Sequence, residues 1–147
     1  MTAPPPAAGP AHTGAGISPE SLLEALRTNA GSLVDGAAPG SADGAPDVST
    51  LTPSRAHAVL AAWTGARLHA GEPGLLVAAD PDLGLLVGDW CFAHALQALA
   101  HDGDLEAIGR LAAAIGDCAV LLTAEPAPAG RLAEIWQVTG DALAPSA

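Results

Sequence analysis

Leucines and alanines recur along this chain at intervals of three and four residues, and those intervals predict helices. Leu22, Leu23, Leu26 and Ala30 share one face of a helix opened by Ser18-Pro19-Glu20, with serine as N-cap and proline in the first turn. Gly31 is its stop. Thr52-Pro53 repeats the start signal, and Val59, Leu60, Trp63 and Ala66 form one face of a second helix ending near Gly71. Asp89 precedes a third, in which Phe92, Leu96 and Leu99 continue the spacing to Gly103. Asp104 caps a fourth, where Leu105, Ile108, Leu111, Ala112, Ile115, Ala119 and Leu122 make the best amphipathic stripe in the chain. Glu125-Pro126-Ala127-Pro128 breaks that helix, and Leu132, Ile135, Trp136, Thr139 and Leu143 mark a fifth. Five helices with short connections in the C-terminal half predict an all-α helical bundle.

Outside the stripes the chain is rich in glycine and proline. Residues 1–17 carry almost no large side chain, so they are expected to form a disordered Pro/Ala/Gly tail on a single helical domain, 18–147. Residues 35–51 read as a loose loop. Between 74 and 89, two short apolar runs flank Asp80-Pro81-Asp82 and fit either a β-hairpin or an irregular or helical connection. The connection is preferred, because the composition favours helix throughout.

Composition sharpens this picture. Half of the 147 residues are hydrophobic, there is no tyrosine and there is a single phenylalanine, whereas strands favour aromatic and β-branched side chains. Five arginines, no lysine and sixteen acids give a formal charge of −11. Such a chain repels a phosphate backbone and an anionic membrane surface, so nucleic acid is not an expected partner. No lysine means no P-loop ammonium and no Schiff base. The N-terminal segment has no basic and apolar regions of a secretory signal, and no apolar run approaches the ~20 residues of a membrane span. A cytoplasmic location is the expectation.

Few residues offer chemistry. Cys91 and His94 stand i, i+3 on a helix, with His101 two turns beyond His94, a spacing compatible with zinc. A small buried thiol with two histidines at a helix edge accounts for the same spacing without a metal. Asp80-Pro81-Asp82 and Asp102-Gly103-Asp104 do not continue into a calcium loop, and turn chemistry and helix capping explain them. No GxGxxG is present. No catalytic residue, metal ligand or cofactor is assigned.

One stretch carries a family likeness. Leu86-Val87-Gly88-Asp89-Trp90-Cys91-Phe92-Ala93-His94-Ala95-Leu96 resembles the "GD" helix of the trans-isoprenyl (polyprenyl) diphosphate synthases. Leu105 to Ile115 is similar to the "LAxAI" helix that follows it. Leu132 to Leu143 is similar to the family's "YLEIIRxKTAALF" segment, and Ala58 to His69 lies without a gap on the helix that ends "LxHDD". The likeness covers about residues 53–143, and its motifs are of moderate specificity. It implies part of the isoprenoid synthase fold. In the family, a DDxxD motif holds magnesium on the allylic diphosphate. Ala70 and Gly71 occupy the first two aspartate positions here, Val138 replaces a diphosphate-binding lysine, and Leu121-Leu122 replace the "GE" pair. Magnesium needs carboxylate oxygens and a diphosphate needs cations, so an active prenyltransferase is not expected.

The resemblance further implies that the GD helix and its successor lie at a dimer interface. Trp90, Phe92, Leu96, Leu99, Ile108 and Ile115 are therefore the interface candidates. The expected function is a non-catalytic accessory or regulatory small subunit, paired with a catalytic polyprenyl diphosphate synthase subunit or with a second copy of itself. The alternative is a helical module binding a prenyl or other apolar ligand in an Ala/Leu-lined cavity.

Overall fold

A computed structural model describes residues 17–124 and 130–145. Its element order is α1 (Pro19–Ala30), a 3₁₀ turn (Gly31–Val34), β1 (Ala37–Pro39), α2 (Pro53–His69), β2 (Leu76–Ala78), α3 (Pro81–His101), α4 (Leu105–Leu122) and α5 (Arg131–Leu143). The fold is predominantly helical, as the periodicity predicts, with one two-stranded sheet. The tail expected at 1–17 lies outside the described residues except for Ile17, which packs on the core and belongs to the domain. The break expected at Glu125–Pro128 also lies outside them.

The helix starts follow the caps. The Ser18 hydroxyl accepts from the Ser21 backbone N–H, and Ser21 returns the bond to the Ser18 N–H, satisfying two donors that the first turn would otherwise leave bare. Thr52 caps α2 ahead of Pro53. Asp104 caps α4 by accepting from the Ala107 N–H.

The centre of the molecule is α2. Its buried positions run almost without a break from Ala58 to Ala66, so it has no solvent face in that stretch. Helix α3 runs antiparallel along it, with α4 and α5 against its other sides. The reason is the small size of the side chains. Ala58, Ala61, Ala62 and Ala66 are all 0% exposed, and each lets a neighbouring backbone come near. The closest approach is between two glycines. A β-carbon on Gly65 would stand 2.8 Å from the Gly88 carbonyl oxygen and 2.8 Å from the Phe92 ring.

The connection between α2 and α3 is helical from Pro81 onward, as preferred over a hairpin, but two other expectations, the helix start at Asp89 and the loose loop at 35–51, are corrected. Helix α3 begins at Pro81, eight residues before Asp89, because Asp80-Pro81-Asp82 is a helix start and not a turn. The Asp80 carboxylate accepts from the Leu83 N–H at 2.8 Å, Pro81 needs no amide partner, and Asp82 sits in the first turn. The residues just before form β2, which pairs antiparallel with β1 in the register Ala37↔Ala78, Ala38↔Val77, Pro39↔Leu76. No hairpin forms across Asp80–Asp82. The strands come from segments far apart in sequence, and the 35–51 segment is anchored: Ala37, Val48 and Leu51 are buried. Gly40 and Gly74 allow the strands' ends to close, since a β-carbon on Gly40 would lie only 2.2 Å from the Gly74 carbonyl oxygen.

Starting earlier makes α3 a 21-residue helix that is apolar and long enough to cross a membrane by length and composition. Among the described residues it is the single such helix, and Asp82 and Asp89 interrupt its apolar run. Its Gly84, Val87, Gly88, Cys91, Ala95 and Leu99 are nonetheless buried in the core, as in a core helix of a folded domain. In α4 the stripe is rotated from the expected one. Ala107, Leu111, Ala114 and Cys118 are buried, whereas Leu105, Ala112 and Ala119 are exposed. Alanine spacing does not reveal which of two small-residue faces a neighbour covers.

A polar clamp ties the far ends together. The Arg55 guanidinium donates to both Asp104 carboxylate oxygens, at 2.7 and 3.0 Å, and to the Leu143 carbonyl at 2.9 Å. It joins the start of α2, the cap of α4 and the end of α5. This bond holds the Asp104 carboxyl below the usual carboxylate range.

Two predictions follow from this packing. Gly65→Ala adds helix propensity but drives a β-carbon into backbone, so it should destabilise by about 1–3 kcal/mol. Gly116→Ala, with open space around it, should instead gain up to about 1 kcal/mol; urea denaturation of both variants checks the opposite signs. Asp104→Ala removes a cap and half the clamp and should cost about 1–2 kcal/mol at neutral pH. Because the folded Asp104 carboxyl titrates lower than the unfolded one, its contribution is complete above about pH 4 and vanishes as pH falls through the lower folded value. Wild type and variant should therefore converge in stability in acid.

Candidate functional site

Helix α3 carries four of the six interface candidates, and its two faces do different work. The inner face is fixed by α2. The contacts His57–His94, Gly65–Gly88 and Leu68–Gly84 set one antiparallel register. In that register His69, at the end of α2, meets Asp89 at 2.9 Å and stacks on Phe92 with ring centroids 5.3 Å apart.

The interface candidates separate by burial. Leu99 is 0% exposed and belongs to the protomer's own core, so it is not available to a partner surface. Trp90, Phe92, Leu96, Ile108 and Ile115 are half-buried and pack on that core by one edge. Phe92 leans on Gly65 and His69. The outer side of α3 adds two side chains that sequence spacing did not single out, Leu85 and Leu86, at 45% and 53% exposure. They became visible only once the helix was seen to begin at Pro81. With half-buried Trp90 and exposed Ala93 they lie on the solvent side of the helix as an apolar strip interrupted by the exposed Asp82 and Asp89. On α4, Leu105 and Val120 are exposed at 79% and 72%.

The second feature lies at the other end of α3. The His57 and His94 rings approach with Nε2 atoms 2.8 Å apart. Trp90 stacks on the far side of His94, centroids 4.6 Å apart and planes at 17°. Burial, with a smaller push from His94, lowers the His57 pKa to about 4, and burial lowers that of His94. Both rings are thus neutral at pH 7. They line an open cleft of about 540 Å³ with Pro53, Ser54, Gln97 and His101.

This arrangement splits the Cys91–His94–His101 spacing. Cys91 is fully buried on the inner face, and burial pushes its thiol up to about 12, so it supplies no thiolate at neutral pH. His94 pairs instead with His57, a residue of α2 that the sequence did not flag. His101 is exposed at the cleft edge. Cys118 is likewise buried, its thiol raised to about 11. Among the described residues no group of three or more His, Cys, Asp or Glu side chains is placed to hold a metal ion. Asp102 and Asp104 cap the ends of α3 and α4, as capping chemistry predicts. No protein-family model, curated protein or solved structure matches the chain.

Proposed function

We propose that this protein is a non-catalytic, isoprenyl-diphosphate-synthase-like accessory subunit that pairs with a catalytic polyprenyl diphosphate synthase through the outer face of α3. The observation that carries this reading is the exposure of Leu85 and Leu86 beside half-buried Trp90, on a helix whose other face is already satisfied by α2. Large apolar side chains grouped on a helix surface gain from being covered by another surface. The tryptophan supplies an anchor of the kind interfaces favour, and the exposed Asp82 and Asp89 stand among the apolar residues as the polar part of the contact.

The resemblance supports the choice of partner. Two of its stretches, Ala58–His69 and Leu86–Leu96, are the helices that cross at Gly65 and Gly88, and the histidine at the "LxHDD" position, His69, pairs with the "GD" aspartate, Asp89. The non-catalytic part of the proposal rests on residues. Ala70 and Gly71 supply no carboxylate where the family binds magnesium, and Val138, 61% exposed, supplies no cation for a diphosphate. The core favours pairing over an enclosed lipid site: alanines fill the centre of α2, and Trp63, Trp136 and Leu111 are almost completely buried around it.

The test of pairing is size and mass measurement of the protein mixed with a DDxxD-bearing polyprenyl diphosphate synthase from the same organism. A defined heteromer is expected. Leu86→Asp and Trp90→Ala should each weaken it tenfold or more, roughly 1.4 kcal/mol, with unchanged helicity. A protein that ignores the synthase, or a complex indifferent to both substitutions, contradicts the proposal; a homodimer through the same strip keeps the surface and removes the synthase as partner. A separate assay addresses catalysis. The purified protein, given isopentenyl and allylic diphosphates with magnesium, should form no product, and turnover free of contaminating synthase would overturn that part.

A further inference from the structure

We propose that the outer face of α3 takes a partner helix carrying arginine or lysine among its apolar side chains, and refuses a second copy of this chain. This partner chemistry rests on the pairing reading for the face itself. Two aspartates decide it. Asp82 and Asp89 are seven residues apart on one helix, which is about 20° in angle and about 10.5 Å along the axis. Ala93, Leu96 and Ala100 fall within about 40° of the line through Asp82, and Leu85 and Leu86 stand on either side of it. The carboxylates therefore run along the middle of the apolar strip and not at its rim. Both aspartates are exposed. Asp89 meets His69 through one oxygen at 2.9 Å, yet its side chain is still 72% exposed.

A surface that covers the strip also covers these charges, and a carboxylate buried without a cation is strongly destabilising. This chain has no cation to offer there. Helix α3 contains no arginine or lysine. Four of the five arginines already meet acids of their own: Arg55 with Asp104, Arg67 with Glu72, Arg110 with Glu106 and Arg131 with Glu134. The fifth, Arg27, lies on α1. Two-fold pairing brings a face against itself. Two copies would therefore set leucine on leucine but also aspartate against aspartate, between chains of formal charge −11 each. A helix with apolar side chains and two cations one heptad apart satisfies the leucines and the carboxylates together. Charged positions within a helical seam select a partner in this way and disfavour the self-pair.

The experiment measures binding of two labelled synthetic helices to the full chain by fluorescence anisotropy. One has leucines at heptad spacing and two arginines one heptad apart; its twin has glutamates in place of the arginines. The arginine helix should bind at least tenfold more tightly. Asp82→Arg with Asp89→Arg should reverse that order. Glu24→Arg with Asp117→Arg, an equal change of charge at exposed acids on α1 and α4, should keep it. This control separates the face from the general attraction of an acidic chain. Asp82→Arg alone, outside the His69 contact, should cut the preference about threefold, which keeps the test decisive if the double variant folds poorly. The wild-type chain by itself should sediment as a monomer, and Asp82→Leu with Asp89→Leu should raise self-association. Equal binding of the twins, a preference that ignores the Asp82 and Asp89 substitutions, or a wild-type dimer weakened by Leu86→Asp would overturn the proposal. Failure of the synthase to pair is read in its own measurement and removes that partner, not this selectivity.

Discussion

At Gly65 and Gly88 the backbones of α2 and α3 meet with no side chain between them, because a β-carbon at Gly65 would fall within 2.8 Å of the opposing carbonyl. That approach fixes both the separation and the register of the two helices. Small residues line the crossing, with Ala58, Ala61, Ala62, Gly84 and Ala95 at it or in its surroundings. The register then places His57 against His94 on one side of the crossing and His69 against Asp89 on the other. Neither pair is specified by its own local sequence.

The same constraint explains the surface of α3. Burial on α2 uses Gly84, Val87, Gly88, Cys91, Ala95 and Leu99, yet the opposite side also carries an apolar strip, Leu85, Leu86 and Ala93, interrupted by the exposed Asp82 and Asp89. In a protein with four aromatic residues, three of them tryptophan, two tryptophans lie in the core and Trp90 stands at the edge of this strip. The Arg55 clamp closes the opposite end of the bundle, so α4 and α5 are held by a bidentate charge-assisted bond as well as by packing. The fold is thus tied at both ends while one side of α3 stays open.

Much of this was legible in the residues. Ser18-Pro19, Thr52-Pro53 and Asp104 announce helix starts through local hydrogen-bonding chemistry, and α4 occupies Leu105–Leu122 as its spacing predicts. Asp80-Pro81-Asp82 carries the same signal, but Asp and Pro serve turns as well as helix starts, so these residues alone do not place the start of α3, and Gly84 and Gly88 follow at positions of low helix propensity. Those glycines serve packing, which propensity does not register. The β1–β2 pair was invisible for a different reason: three-residue strands from distant segments carry no periodicity. His57 was missed because its partner depends on the helix register, and the rotation of the α4 stripe because alanine marks inner and outer faces alike.

Helix α2 is the packed centre to which α3 is locked at the glycine crossing. Native-state hydrogen exchange measures this residue by residue. The amides from Ala58 to Ala66 should exchange slowest in the molecule, only through global unfolding, with those of α3 from Val87 to Ala95 close behind. Slowest exchange in α4 or α5, with α2 opening locally at lower free energy, would contradict it.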